Sequence, residues 1–315
     1  MIIAKLTNQL GNQMFAYASV KSIALDKGFD FKYCRTPLEK GDCNDVDIKY
    51  GTELRNIFGS VPDSEYINYC DIPDDFSVYK ERKMKDRFDH DYSQIVREEI
   101  SDNTLLEGHF ATSVFFADKV DLVRKWYTFP QDISAVVEGK IESLHEKLGA
   151  DKLLVSVHFR CGNDYLKSGF KLGDKYWYDA VEYVKDFYEK QGKAIKIVTL
   201  FDKRTRAIDR FINKYDSLVQ HGSMVEDMCF ISKCDVNIVC NSTFSCMASI
   251  LNPNCMMTVR PSRYPTEAGF FPDSIFMPKW VSIGDGKRSL ISQLYYLKKR
   301  YWSNPIRRFA KKLIK

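Results

Sequence analysis

Between Leu153 and Val259 the chain alternates short apolar runs with amphipathic stretches, and this alternation limits what it can fold into. The pattern predicts strands at 153–159, 194–200, 236–239 and 256–259. Helices are predicted at 176–190, 203–215, 226–232 and 242–251, with a further short apolar pair at Leu218 and Val219. Strand and helix in alternation at this spacing make a mostly parallel sheet covered on both faces. Ligands of such sheets bind beyond the carboxyl ends of the strands, so the loops that follow strands hold the informative residues.

The first 150 residues carry a weaker form of the same signal. IIAKL, Ile2–Leu6, reads as a buried strand, followed by a polar loop Thr7–Asn12 and a helix from Gln13 to about Lys27 that stops at Gly28. From about Phe29 to Thr104, turn clusters interrupt short apolar pieces and no elements are assigned. Pro130, Asp132 and Ser134 mark the start of a helix running to Leu148, with Gly149 as its stop. A chain of 315 residues exceeds the usual size of one core. A boundary near 150 therefore divides it into 1–150, 151–286 and a tail, 287–315.

Three post-strand loops carry chemistry. In LGNQMF, Gly11 permits a close backbone approach, and Asn12 sits where amide donors at a helix start can hold a phosphate. In SVHFRCGNDY, His158 and Arg160 lie two apart at a strand end and so point the same way. A guanidinium offers two parallel hydrogen bonds to a phosphate, or else an ion pair to Asp164 or Asp174. In the third loop Asp227 stands near one helix start, and Asn241, Ser242, Thr243 and Ser245 crowd the next. Such groups either cap the helix or bind an anion with the same donors.

No Walker loop, H-E-x-x-H or glycine-rich dinucleotide fingerprint is present. The two D-x-D pairs, Asp45–Asp47 and Asp89–Asp91, fall in turn-rich or charged sequence, so no metal is expected. Nine cysteines lack C-x-x-C spacing and read as reduced thiols, most of them buried. No apolar run is long enough to span a membrane, and the expected location is cytoplasmic. The ten cations between Lys287 and Lys315, against no acid, leave the rest of the chain at −5 from a total of +5. That tail, with its interleaved Leu, Ile, Tyr and Trp and a break at Pro305, is either a helix lying on the inner, anionic face of the membrane or one folded onto the body. It lacks a stacking platform for nucleic acid, which is not an expected partner.

Together and in this order, QLGNQMF, HFRCGNDY and NSTFSCM resemble the motifs of the α-1,2-fucosyltransferases of glycosyltransferase family 11. The likeness runs from Met1 to about Ile283 and is sharp in those motifs and in LLEGHFATSVFFAD and FMPKWVSI. It departs from the family at Cys161, where a second Arg is usual, at Asp164, one place late, and at Cys246 and Met247, which replace tandem tryptophans. The resemblance implies an α/β, GT-B-like fold of two Rossmann-type lobes, the C-terminal one with a mostly parallel sheet. It implies GDP-β-L-fucose as donor substrate with no cofactor, and a glycan ending in galactose as acceptor. Arg160 would be the catalytic residue. Gly11, Asn12, His158, Asp227, Asn241, Ser242, Thr243, Phe244 and Ser245 would bind substrate, with Asp227 on guanine. Other readings are a GDP-sugar transferase of different sugar or linkage, a nicotinamide oxidoreductase, and a membrane-tethered, non-catalytic nucleotide-binding adaptor.

Overall fold

The computed structural model describes residues 1–35, 54–81, 92–149, 151–266, 269–271, 273–284 and 286–302. Both D-x-D pairs and the tail beyond Trp302, with Pro305, lie outside the described residues. The fold is α/β and is built on two sheets that are parallel throughout.

The N-terminal sheet contains β1 (Ile2–Leu6), β2 (Phe31–Arg35), β3 (Ser77–Lys80) and β4 (Thr104–Glu107) in the order β2-β1-β4-β3. Ala4 pairs with Tyr33 on one side and with Leu106 on the other. Between β1 and β2 runs α1 (Leu10–Lys27), buried along most of its circumference from Leu10 to Ala24. Its small residues Ala16, Ala18, Ser19 and Ser22 permit that enclosure. It stops at Gly28, whose φ of 67° is the left-handed turn that a side chain would resist. The helix begins three residues earlier than its apolar pattern suggests, so Leu10, Gly11 and Asn12 form its first turn and are not loop.

The C-terminal sheet contains β5 (Leu153–Phe159), β6 (Ile195–Phe201), β7 (Leu218–Val219), β8 (Val236–Ile238) and β9 (Met257–Pro261), with β12 (Val281–Ile283) at its edge. A small hairpin, β10 (Tyr264–Thr266) and β11 (Gly269–Phe271), intervenes. The order is β12-β9-β8-β5-β6-β7, with Val155 paired to both Ile197 and Val236. One face is covered by Trp177, Val181 and Val184, beside Ile208 and Phe211 from the next helix. The other face joins α1 in a core that runs without interruption from Ile2 through Val137 to Met228 and Met247. The strands of the two sheets fall on either side of position 150 in the chain, and this core runs across both.

Besides a single turn at Leu54–Ile57, the α-helices that follow are α2 (Tyr92–Glu99), α3 (Val120–Trp126), α4 (Gln131–Leu148), α5 (Asn163–Lys167), α6 (Lys175–Glu189), α7 (Arg206–Tyr215), α8 (Met224–Ile231), α9 (Thr243–Ile250) and α10 (Leu290–Trp302). The α5 turn interrupts what the sequence pattern treats as a loop. The N-terminus of α8 is closed by a reciprocal pair, Ser223 accepting from the Glu226 amide and Glu226 accepting from the Ser223 amide.

The expected tail is divided by the structure. Its first helix, α10, is folded onto the body. Arg288 donates to the Gly169 carbonyl at 2.8 Å, and the Lys171 amide donates to Ser292 Oγ at 3.1 Å. Ser292 and Tyr296 are buried, whereas Leu290, Ile291, Leu294 and Tyr295 face outward. Among the described residues no helix is long and apolar enough to cross a membrane.

Candidate active site

In the N-terminal sheet β1 lies between β2 and β4, and in the C-terminal sheet the strand order reverses once, at β5, with β6 on one side and β8 on the other. Parallel sheets form a crevice at such a point. One cleft, enclosing about 210 Å³, is lined by Asn8, Gln9, Leu10 and Gly11 after β1 and by His158 and Arg160 at the end of β5. Phe201, Asp202, Met224, Asp227, Ser242, Thr243 and Phe244 complete it. The N-terminal turns of α1 and α9 both border this space. By helix geometry the first amides of each lack intrahelical acceptors.

Arg160 is the hub. Its guanidinium donates from one nitrogen to Asp202 and from the other to Asp164 at 2.7 Å and to Gln9 Oε1 at 3.3 Å. The Tyr165 ring lies 5.1 Å from the guanidinium carbon. Burial opposes the charge on Arg160, and Asp202 and Asp164 outweigh it, raising its pKa above the ordinary value. Both ion-pair partners belong to the C-terminal half, while Gln9 reaches across from the N-terminal half.

His158 is buried beneath the Phe244 ring, with centroids 5.4 Å apart, and its Nδ1 lies 3.3 Å from Cys240 Sγ. Burial, opposed by Asp202 and assisted by Arg160, depresses its pKa to about 4. The imidazole is thus neutral at pH 7 and presents an uncharged ring to the cleft. Asp227, on the first turns of α8, is mostly buried. It accepts from Gln220 Nε2 at 3.0 Å and from the Gly222 amide at 2.9 Å. Both bonds fall on Oδ1, so Oδ2 keeps its acceptor capacity. Burial raises the pKa of this carboxyl, and those two hydrogen bonds hold the rise back.

The other expected site residues divide into two sets. Gly11, Ser242, Thr243 and Phe244 border the cleft with Arg160, His158 and Asp227. Asn12, Asn241 and Ser245 do not line it. Asn12 Oδ1 accepts from Thr243 Oγ1 at 2.8 Å, which fastens α1 to α9. Asn241 is buried; its amide donates to the Phe170 carbonyl at 2.7 Å, and its own carbonyl accepts from the Tyr165 hydroxyl. Ser245 Oγ donates to the Ser242 carbonyl at 3.2 Å and is fully buried. Gly11 also has a packing role: a Cβ there would lie 2.7 Å from the Thr243 carbonyl carbon and 2.8 Å from Phe244 Cα.

Asn8, Gln9, Phe201, Asp202 and Met224 were not anticipated from the motifs. Asp202 stands just past β6 as Arg160 stands just past β5, so the rule that carboxyl ends of strands line the crevice is the signal that selects it. All eight described cysteines are free, and six of them are buried. Cys161 is one of these, its thiol pushed up to about 12 by burial. Among the described residues no group of three or more His, Cys, Asp or Glu is placed to hold a metal ion.

No known family model matches the chain, and no curated protein matches it in sequence. Among solved structures it is similar to the fucosyltransferase NodZ from Bradyrhizobium, at 16% identity and a TM-score of 0.45, over 80% of this chain and 92% of that one. It is also similar to POFUT1 in complex with GDP-fucose, at 10% identity and a TM-score of 0.46, over 82% of this chain and 96% of that one. A form of NodZ described as an α-1,6-fucosyltransferase soaked with GDP-fucose gives 16% identity and a TM-score of 0.44, with coverages of 80% and 92%.

Proposed function

We propose that this chain is an inverting α-1,2-fucosyltransferase with a GT-B-like pair of lobes. It would move L-fucose from GDP-β-L-fucose to the 2-hydroxyl of a terminal galactoside. The observation that carries the reading is one cleft in which a fixed guanidinium, Arg160, stands among the N-terminal turns of two helices, with the half-buried carboxylate of Asp227 lining the same cleft. The order of the three motifs supplies the sugar and the linkage.

Breaking the sugar C1–O bond leaves negative charge on the departing diphosphate and positive charge on the fucose ring. Donors already aimed at the leaving oxygens stabilise the first without reorganisation. Arg160 supplies a permanent charge and a planar fork, and the first amides of α1 and α9 add oriented dipoles. Asp227 Oδ2 accepts from the N1 and N2 donors of guanine, a pair that adenine lacks. His158 and Phe244 give the nucleoside an apolar, uncharged wall. The acceptor hydroxyl attacks the face opposite GDP. The Asp164 carboxylate pairs with Arg160 and is not assigned as the base for that hydroxyl. The cationic tail holds the enzyme against an anionic membrane surface, where a lipid-linked glycan would be met.

The test is incubation with GDP-fucose and a panel of galactosides, with and without chelator, reading free GDP and the product linkage. The reading expects chelator-resistant release of GDP and an α-1,2 product. Arg160→Lys keeps the charge and loses the fork, and turnover should fall about 10²–10³-fold. A different linkage would leave a GDP-sugar transferase and remove the acceptor assignment. Chelator-sensitive turnover, or an unimpaired Arg160→Lys enzyme, would remove Arg160 as the group that receives the leaving charge.

A further inference from the structure

Arg160 carries more negative charge than it can neutralise. One guanidinium faces two carboxylates, Asp202 and Asp164, so the cluster is net anionic where a diphosphate is expected to bind. A phosphate oxygen that takes a place on the same nitrogens competes with these carboxylates, and the two are held very differently.

Asp202 is embedded. Its Oδ1 accepts the Cys161 amide at 2.7 Å, and its Oδ2 accepts the Gly162 amide at 2.9 Å in addition to the Arg160 bond. Its side chain is 20% exposed. Removing it would leave the Cys161 and Gly162 amides without this acceptor and one Arg160 nitrogen without its carboxylate. Asp164 is 56% exposed and sits on α5, a helix of five residues. Among the described residues, its one hydrogen bond from another side chain is the i,i+4 pair to Arg160 at 2.7 Å. Exposed pairs of that kind add little to stability.

Building on the fucosyltransferase reading, we propose that these two acids divide the work around Arg160. Asp164 is an exchangeable counter-ion that the diphosphate of the donor displaces. Asp202 is a positioning residue that stays bound and keeps the guanidinium and the Cys161–Gly162 backbone in place. Displacing Asp164 frees the Arg160 nitrogen that also faces Gln9, the side open to the N-terminal half.

The experiment titrates full-length wild type, Asp164→Asn, Asp202→Asn and Asp202→Glu with GDP and with inorganic pyrophosphate by calorimetry, alongside steady-state kinetics. Asp164→Asn removes the competitor and should bind both ligands about two- to five-fold more tightly, the span of an exposed ion pair. Asp202→Asn should lose about 10²-fold in kcat with a smaller change in KM, as expected when a group loses its aim. Asp202→Glu should recover part of that loss. Should Asp202→Asn fail to fold, the Asp164→Asn and Asp202→Glu titrations decide the matter. Binding to Asp164→Asn that is unchanged or weaker, with wild type binding both ligands, overturns this inference alone. Failure of wild type to bind either ligand overturns both this inference and the fucosyltransferase reading.

Discussion

Gly11→Ala separates two explanations of the same residue. Within α1 an alanine is the better helix former, by about 0.8–1.0 kcal/mol. With nothing opposite, the substitution would therefore stabilise the protein. Here the new Cβ would meet the backbone of α9: the Phe244 amide nitrogen, the Thr243 carbonyl carbon at 2.7 Å and Phe244 Cα at 2.8 Å. Backbone cannot rotate out of the way as the end of a side chain can. To bring the Thr243 contact to ordinary separation, the two helices must part by about 0.7 Å. That motion stretches the Thr243–Asn12 hydrogen bond from 2.8 Å to the limit of a useful bond. Overpacking costs about 1–3 kcal/mol, which outweighs the helix gain at all but its lower end. Each kcal/mol lost moves Tm by about 2–4 °C for a large domain. A thermal scan should show a fall of several degrees for Gly11→Ala. Adding Thr243→Val should cost less in that background than in wild type, because the bond is already stretched. A Gly11→Ala protein with unchanged or raised Tm that had lost only its affinity for GDP would refute this reasoning. It would return Gly11 to a purely ligand-facing role.

Asp227→Ala should weaken GDP binding by at least ten-fold while changing saturated turnover less, as read by calorimetry and kcat; normal affinity with collapsed turnover would contradict its placement on guanine. The depressed His158 pKa sets a pH window for stability. The folded state keeps the ring neutral, so its contribution is fully present above pH 6.5 and is lost as pH falls toward 4. The loss should be on the order of 3 kcal/mol, and His158→Gln should flatten it in chemical denaturation measured across that range; matching slopes for the two proteins would be evidence against it. A chain ending at Trp302 lacks five of the ten tail cations, each worth roughly 1 kcal/mol at an anionic surface. It should lose vesicle binding at least ten-fold and keep turnover on soluble galactosides, whereas removal of 287–315 also removes Arg288 and Ser292 and should impair turnover. Equal vesicle recovery of the 1–302 and full-length chains would dispose of the membrane role.

Where sequence spoke clearly, burial followed a simple period. β1 and β5 occupy the residues their apolar runs mark, and β6 and α6 differ from expectation by one residue at each end. β3 was illegible because SVYK has no buried face to impose a pattern: three of its residues are exposed and one is half-buried. The start of α1 was misplaced for the opposite reason. Gly11 and Asn12 are poor helix formers that signal a loop, and contact with α9 overrides that local preference. At the site, Arg160, His158 and Asp227 were visible because a cation, an imidazole and an acid stand out after a strand or at a helix start. Asn241 and Ser245 have the chemistry of anion ligands, and only the Phe170 and Ser242 carbonyls they bond show that they serve the backbone. Asp202 belongs to no motif, and its importance follows from what lies beside it across 42 positions of sequence.

The crossing of α1 over α9 has a mechanical consequence. With a glycine pressed on backbone and one hydrogen bond beside it, the two halves of the molecule share a rigid contact at Gly11 and Thr243. A substitution at either residue would therefore change the alignment of the two halves as well as the local packing.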